Sequence, residues 1–146
     1  MDWEPLIAAA RAARAHSYSP YSGFPVGAAI LMEDGSIWAA ANVENCIPAL
    51  AICAERNAMS AAASAGLRHP RAVVVITATD PPASPCGLCR QTLSEFADDL
   101  PILLVSSADP DAPHAPDAAA GTREEVRLID LLPRRFRLEP APRGRT

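Results

Sequence analysis

The sequence predicts an α/β fold in which a mixed β-sheet is flanked by helices. Two apolar segments lie on either side of Asp34-Gly35, a dipeptide typical of short hairpin turns, so the sheet should begin with an antiparallel pair. Further along, apolar segments alternate with helical patterns, which is typical of strand–helix units that pair in parallel. The length of 146 residues suits one domain with a single core.

The first four predicted elements follow from periodicity and turn residues. Apolar residues at helical spacing predict an N-terminal helix, and the two runs beside the hairpin turn predict strands. An alanine-rich segment predicts a second helix, and Gly66 suits the left-handed position that follows a helix end. In chain order these elements are a helix over 3–16, strands over 26–32 and 36–43, and a helix over 53–65.

The second half of the chain alternates strands with a helix and ends in polar segments. The β-branched run "RAVVVITAT" predicts a buried strand. In chain order we predict a strand over 71–79, a helix over 86–99, a strand over 101–107, and a short strand with a helical turn in "EVRLIDLLPRRF". The low-complexity segment 108–122 is predicted to be a flexible loop and 139–146 a disordered tail, so the domain spans 1–138.

Composition and charge exclude several classes of protein. Hydrophobic residues make up 49 %, which is enough for a globular core. The formal net charge is -4 and no basic stripe is present, so we expect no nucleic-acid partner. No apolar run approaches the ~18 residues that a membrane span needs, and the N-terminal segment lacks the basic region of a secretory signal. We therefore expect a cytoplasmic protein with no membrane partner.

The four cysteines predict a metal or catalytic site, since disulfides are rare in a reducing compartment. Cys86 and Cys89 are three residues apart at the start of a predicted helix, so both can hold one ion. Cys53 begins another predicted helix and can approach the same ion end-on. The unpaired N–H groups at helix N-termini lower thiol pKa values, which favours metal-binding thiolates.

Three thiolates leave one of the four tetrahedral positions of zinc open, and an open position marks a catalytic site. The three thiolates outweigh the charge of a divalent ion, and Arg56 lies close enough along the helix to donate to one of them. Arg90, directly after Cys89, is a second candidate for this supporting charge. Glu55 follows Cys53 in the first helical turn and can reach the space beyond the helix end, so it suits a general acid and base.

Two simpler interpretations remain open on these residues alone. All four cysteines, including Cys46, could form a closed and inert zinc site. Cys46 does not begin a predicted helix, so we expect it to be a free thiol. Glu55 could also do no more than complement the positive end of the helix dipole.

A similarity to one family runs from about residue 5 to 136 and includes five segments. "CAERNA" and "SPCGLCRQTLSEF" match the cysteine, glutamate and P-C-x-x-C signature of zinc deaminases, and "YSPYSGFPVGAA", "NVEN" and "LLPRRF" extend the match. The chain resembles cytidine deaminases of the small homotetrameric type. The resemblance implies a three-layer α/β/α sandwich with a mixed five-stranded sheet and one zinc ion per chain. It also implies deamination of cytidine or deoxycytidine to uridine or deoxyuridine and ammonia, in pyrimidine salvage.

The resemblance also implies roles for individual residues. The zinc ligands would be Cys53, Cys86 and Cys89, with Glu55 carrying the proton. The implied substrate contacts are Asn42 and Glu44 to the ribose hydroxyls, Phe24 in the pyrimidine pocket, backbone groups of Ala54 and Cys86 against the base, and Phe136 reaching the base from a neighbouring subunit.

The sequence departs from the family pattern beside the "NVEN" motif. Ala40-Ala41 stands where the family usually has Gly or Gly-Cys, and Pro48 stands where an aromatic residue is common. These departures motivate an alternative, namely the same chemistry on a modified cytidine, a blasticidin-like nucleoside or another aminated heterocycle. A third interpretation is a non-catalytic zinc module that binds a partner.

Overall fold

The computed structural model describes residues 1–107 and 122–140. The helices are α1 (Glu4–Arg14), α2 (Ala54–Ser64), α3 (Gly87–Phe96) and α4 (Leu128–Leu131), with a short 3-10 turn at Pro48–Leu50. The strands are β1 (Gly27–Met32), β2 (Ile37–Ala41), β3 (Pro70–Thr77), β4 (Pro101–Ser106) and β5 (Arg123–Arg127). Within the described residues, no helix combines the length and the apolar character needed to cross a membrane.

The five strands form one mixed sheet in the order β2-β1-β3-β4-β5. β1 pairs antiparallel with both β2 and β3, β3 pairs parallel with β4, and β4 pairs antiparallel with β5. The parallel pair requires a crossover connection, and α3 provides it. The predicted mixed five-stranded sheet is confirmed.

Helices cover both faces of the sheet, which gives three layers. On one face, α1 buries Leu6 and Ile7 against β3 residues that include Val74. On the other, α2 and α3 contribute Met59 and Leu93 to a second core cluster. Because both faces of β3 are covered, its residues 72–76 are continuously apolar instead of alternating with polar residues.

Glycine is required at Gly27 by the close approach of α1 to β1. A Cβ atom built at Gly27 would lie 2.1 Å from the carbonyl oxygen of Ala10, so no side chain fits between helix and strand. Gly35 and Gly66 have φ values of 85° and 95°, a region that favours glycine. They occupy the predicted hairpin turn and the predicted end of α2.

Helix α3 ends at Phe96, three residues before its predicted end. Ala97 is already extended, with φ -147° and ψ 140°. The two aspartates that follow lie outside the helix and contact the C-terminal segment: Asp98 pairs with Arg135 and Asp99 with Arg127. Sequence periodicity contains no signal for such distant partners.

Parts of the predicted loop and tail lie outside the described residues. Of the loop predicted over 108–122, residues 108–121 are outside, and so are residues 141–146 of the predicted tail. Glu139 and Pro140 are described; they are exposed and belong to no helix or strand.

Candidate metal centre and active site

Three cysteine thiols converge where the N-termini of α2 and α3 meet. Cys53 is the N-cap of α2 and Cys86 the N-cap of α3, while Cys89 lies in the first turn of α3. The three sulfur atoms all lie within 4.8 Å of one another. The Sγ atoms of Cys53 and Cys86 are 3.6 Å apart, and those of Cys86 and Cys89 are 3.5 Å apart. Ligands at the usual Zn–S bond length of about 2.3 Å in a tetrahedron have sulfurs about 3.8 Å apart, so the donor set fits zinc.

Burial of the three thiols is uneven, and Cys46 is not among them. Cys89 is fully buried, Cys53 is partly buried and Cys86 is exposed. The cluster is therefore closed on the side of the core and accessible on the other, as a site with an open coordination position requires. Cys46 is exposed and contacts the side chain of Asn45, which argues against the closed four-cysteine site.

The pKa values of the thiols show that the cluster stabilises negative charge at Cys53. Hydrogen bonding from Cys89 and Cys86, together with the positive charge of Arg56, lowers the pKa of Cys53 to about 5. The pKa of Cys89 is raised, first because its proton is held by the Cys53 thiolate and second because Cys89 is buried. Even without an ion, one ligand of the cluster is therefore a thiolate at neutral pH.

Glu55 is a buried acid beside the thiols. Only 4 % of the residue is exposed. Burial raises the pKa of Glu55, and the negative charge of Cys53 raises it further. An acid that only complemented the helix dipole would need no burial, so the dipole alone does not explain this position. A carboxyl group whose pKa is shifted toward neutrality can both accept and donate a proton.

The guanidinium of Arg56 adds positive charge beside Cys53. Its Nη2 donates to the carbonyl oxygen of Ala51 at 3.0 Å. Its Nε is buried and has no hydrogen-bond partner among the described residues. The guanidinium lowers the pKa of Cys53 by hydrogen bonding and, to a smaller extent, by its positive charge.

Arg90 makes different contacts from those expected. Its guanidinium donates to the carbonyl oxygens of Pro85 and Leu131 at 2.7 and 2.9 Å and to the hydroxyl of Ser84 at 2.9 Å. These acceptors are oxygens of the loop before α3 and of α4, and none is a thiolate. Arg90 therefore connects three segments around the cluster, and its hydrogen bonds give no support to a role on a thiolate.

Asn42 lies just after β2 and organises the loop that contains Phe24. Its Oδ1 accepts from the backbone N–H of Val26 at 2.9 Å and from the hydroxyl of Ser17 at 2.6 Å. Its Nδ2 donates to the carbonyl oxygen of Phe24 at 2.9 Å. Sequence reasoning gave Ser17 no role, and its contact with Asn42 spans 25 residues.

Glu44 is held by the same loop. Its carboxylate accepts from the hydroxyl of Ser22 at 2.7 Å and from the Ser22 backbone N–H. The Ser22 hydroxyl also accepts the backbone N–H of Phe24 at 3.0 Å, and Phe24 is half-buried. Ala54, the first residue of α2, is fully buried next to Cys53.

The backbone of Phe136 is hydrogen-bonded to α3, whereas its side chain is exposed to solvent. The residue is 66 % exposed. Its N–H and carbonyl groups both bind the side-chain amide of Gln91 on α3. Gln91 stands in the motif "CGLCRQ", but no sequence signal linked it to a residue so far along the chain.

A groove of about 420 Å³ lies beside the edge strand β2, and none of the predicted site residues lines it. Ala40 and Ala41 do line it, together with His16 and Asn57. The departure from the family pattern at Ala40-Ala41 thus faces this groove.

Three thiols at two helix N-termini, with a buried glutamate next to one of them, define a zinc deaminase site on an α/β sandwich. Residues 2–103 match a family model described as the cytidine and deoxycytidylate deaminase zinc-binding region. The chain belongs to this family.

Individual relatives cover most of the chain. A cytidine deaminase of Sporosarcina psychrophila is 41 % identical over 140 residues, which are 95 % of this chain and 94 % of the relative. A crystal structure of cytidine deaminase from Burkholderia pseudomallei has a TM-score of 0.80 and 37 % identity, covering 93 % of this chain and 100 % of the other. The cytidine deaminase structure from Mycobacterium tuberculosis has a TM-score of 0.72 and 36 % identity, covering 94 % and 99 %.

Proposed function

We propose that this chain catalyses the hydrolytic deamination of cytidine and deoxycytidine to uridine and deoxyuridine, with release of ammonia, as a step of pyrimidine salvage. The observation that carries the proposal is the buried Glu55 carboxyl beside three convergent thiols. The relatives that cover nearly the whole chain are named cytidine deaminase, which supports the choice of substrate.

Cys53, Cys86 and Cys89 would hold one zinc ion per chain. When bound, the ion acts as a Lewis acid that lowers the pKa of water at its open position toward neutrality. The chain contributes the charge that balances three thiolates: the N-termini of α2 and α3 carry about half a positive charge each, and Arg56 adds a full one.

Glu55 would move the protons of the reaction. It accepts a proton from the attacking water while the water oxygen forms a bond to C4 of the base, and it passes that proton to N3. It then takes the proton of the new hydroxyl group and gives it to the amine on C4. The C4–N bond breaks, ammonia departs, and a carbonyl group remains at C4. The raised pKa of Glu55 suits both halves of this sequence.

The loop of Phe24 and the "NVEN" segment would bind the nucleoside. Asn42 and Glu44 are fixed by Ser17 and Ser22, so their polar groups are ordered before substrate binds. The Glu44 carboxylate has acceptor capacity beyond its bonds to Ser22, and the second N–H of the Asn42 amide can still donate. We assign these two side chains to the ribose hydroxyls, Phe24 and the backbone of Ala54 to the base, and Phe136 to the base of a neighbouring subunit.

The first test is turnover of cytidine by zinc-loaded protein, followed by the fall in cytidine absorbance and by ammonia release. We expect one ammonia per uridine formed and a kcat/KM that is highest for cytidine or deoxycytidine. The same preparation is assayed for zinc, so that lack of metal is not mistaken for lack of activity. Fully zinc-loaded protein that releases no ammonia from any nucleoside would instead indicate the non-catalytic module.

The alternative substrate class rests on Pro48 and on one relative. Pro48 begins the exposed 3-10 turn that follows "NVEN". A blasticidin-S deaminase of Bacillus cereus is 34 % identical over 94 residues, which are 54 % of this chain and 62 % of that protein. A panel with blasticidin S and N4-substituted cytidines decides: a kcat/KM for one of these about tenfold above that for cytidine would select the alternative.

We propose that the chain forms a homotetramer with shared active sites. Phe136 is 66 % exposed, and exposed apolar side chains also cluster between β2 and α2, at Val43, Ile47, Leu50 and Ile52. A sedimentation measurement should give four chain masses. A stable monomer with full activity would contradict the proposal and leave Phe136 without its role.

The proposed location is the cytoplasm, which the four free cysteines support because a reducing compartment preserves thiols. The formal net charge of -4 supports the absence of a nucleic-acid partner.

A further inference from the structure

We propose that Gln91 is a positioning residue that fixes Phe136 for its place against the base of the substrate. The inference rests on the proposed function, since the task of Phe136 comes from it. The observation is a two-point contact between the side chain of one residue and the backbone of the other, across 45 positions of the chain.

Two hydrogen bonds between the Gln91 side chain and the Phe136 backbone, together called the clamp, form this contact. The Gln91 Nε2 donates to the carbonyl oxygen of Phe136 at 2.8 Å, and the Phe136 N–H donates to the Gln91 Oε1 at 3.3 Å. One amide thus satisfies both backbone groups of one residue, much as a neighbouring strand would. The contact leaves the aromatic ring free, and the ring is the part that must reach the substrate.

Other contacts hold the C-terminal arm, residues 132–138, without fixing Phe136 itself. Arg135 donates to the carbonyl oxygen of Asp98 at 2.8 Å and pairs with its carboxylate at 2.9 Å, and Arg137 pairs with the same carboxylate. The carboxylate of Asp98 is 78 % exposed, so the ion pairs add little, and the arm is held mainly by the hydrogen bonds of Arg135 to the carbonyl oxygens of Ala97 and Asp98. Docking of the arm and placement of the ring are therefore separable functions.

Gln91 connects the C-terminal arm to the helix that carries metal ligands of its own chain, whereas the ring of Phe136 serves the site of a neighbouring subunit. Gln91 lies two residues after Cys89, on the helix that provides two of the three thiols. Restricting the backbone of Phe136 removes conformational freedom that would otherwise be lost when substrate binds. We therefore expect loss of the clamp to raise KM more than it lowers kcat.

The experiment compares Gln91→Met with wild type and with the matched control Glu95→Met. Glu95 lies one turn further along α3, is exposed, and makes no hydrogen bond or ion pair with the described residues. Because both hydrogen bonds of the clamp are lost, we expect kcat/KM to fall about tenfold or more for Gln91→Met, carried mainly by KM. Zinc content and sedimentation should match wild type, and Glu95→Met should stay within about twofold.

A double-mutant cycle shows whether Gln91 acts through Phe136. In a Phe136→Ala background, Gln91→Met should change kcat/KM by less than about twofold, because the ring that the clamp places is already absent. Equal losses in both backgrounds, or loss of zinc or of the tetramer in Gln91→Met, would overturn the inference. Gln91→Ala repeats the cycle if the methionine variant does not fold.

Hydrogen exchange separates failure of this inference from failure of the proposed function. The amide of Phe136 should exchange faster in Gln91→Met than in wild type or Glu95→Met, whatever the enzyme turns over. Unchanged exchange refutes the clamp even if cytidine is the substrate. If the Phe136 amide exchanges faster in Gln91→Met but the wild-type protein does not deaminate cytidine, the clamp is supported and the proposed function is rejected.

Discussion

Glu55→Gln should retain one zinc ion per chain and lower kcat for cytidine by about a thousandfold. General acid–base catalysis contributes about 10²- to 10⁴-fold, and Glu55 is assigned every proton transfer in the reaction, so we expect an effect within that range. Glutamine preserves the shape of the side chain but cannot take a proton from water. Zinc content and steady-state turnover are measured on the same sample.

Stability provides the control for this substitution. Burial penalises the Glu55 carboxylate, so the neutral amide should leave the melting temperature unchanged or higher. A rise in stability with a loss of activity is typical of a residue kept for function. If Glu55→Gln retains zinc and turns cytidine over at nearly the wild-type rate, the proposed mechanism is wrong.

Cys89→Ala should lose the metal and all deaminase activity. Cys89 is the buried member of the cluster, and the two remaining thiols cannot close a three-ligand site. We expect zinc per chain to fall from about one to below about 0.1 after dialysis against a weak chelator. Metal content by mass spectrometry checks the result directly.

Cys46→Ala is the matched control, because it removes a thiol outside the cluster. It should keep one zinc ion per chain and wild-type turnover. Loss of zinc in Cys46→Ala would bring back the closed four-cysteine site and remove the open position on which the mechanism depends.

Features of the site that depend on neighbouring residues could be predicted from the sequence. Cys53 and Cys86 mark the starts of α2 and α3, and helix periodicity places Cys89 one turn after Cys86. Once both helices pack on one face of the sheet with their N-termini together, the three thiols meet. The strands were equally predictable, because the hairpin turn and the apolar runs are local signals.

Features that depend on distant residues could not be predicted. The partners of Arg90 include Leu131, 41 residues away, and the contact that fixes Phe136 spans 45 residues. Glutamine and arginine can donate to many acceptors, and the sequence gives no means of choosing among them. The end of α3 was also misplaced: Asp98 and Asp99 lie beyond the helix and pair with Arg135 and Arg127 of the C-terminal segment, contacts for which the sequence has no local signal.

The edge strand β5 consists mostly of charged residues. This edge strand has the sequence "REEVR", and its four charged residues are exposed. An edge strand presents unpaired backbone groups that could recruit a strand from another molecule, and clustered charges oppose such pairing by desolvation and repulsion. The charges of β5 therefore disfavour pairing of this edge with a strand from another molecule.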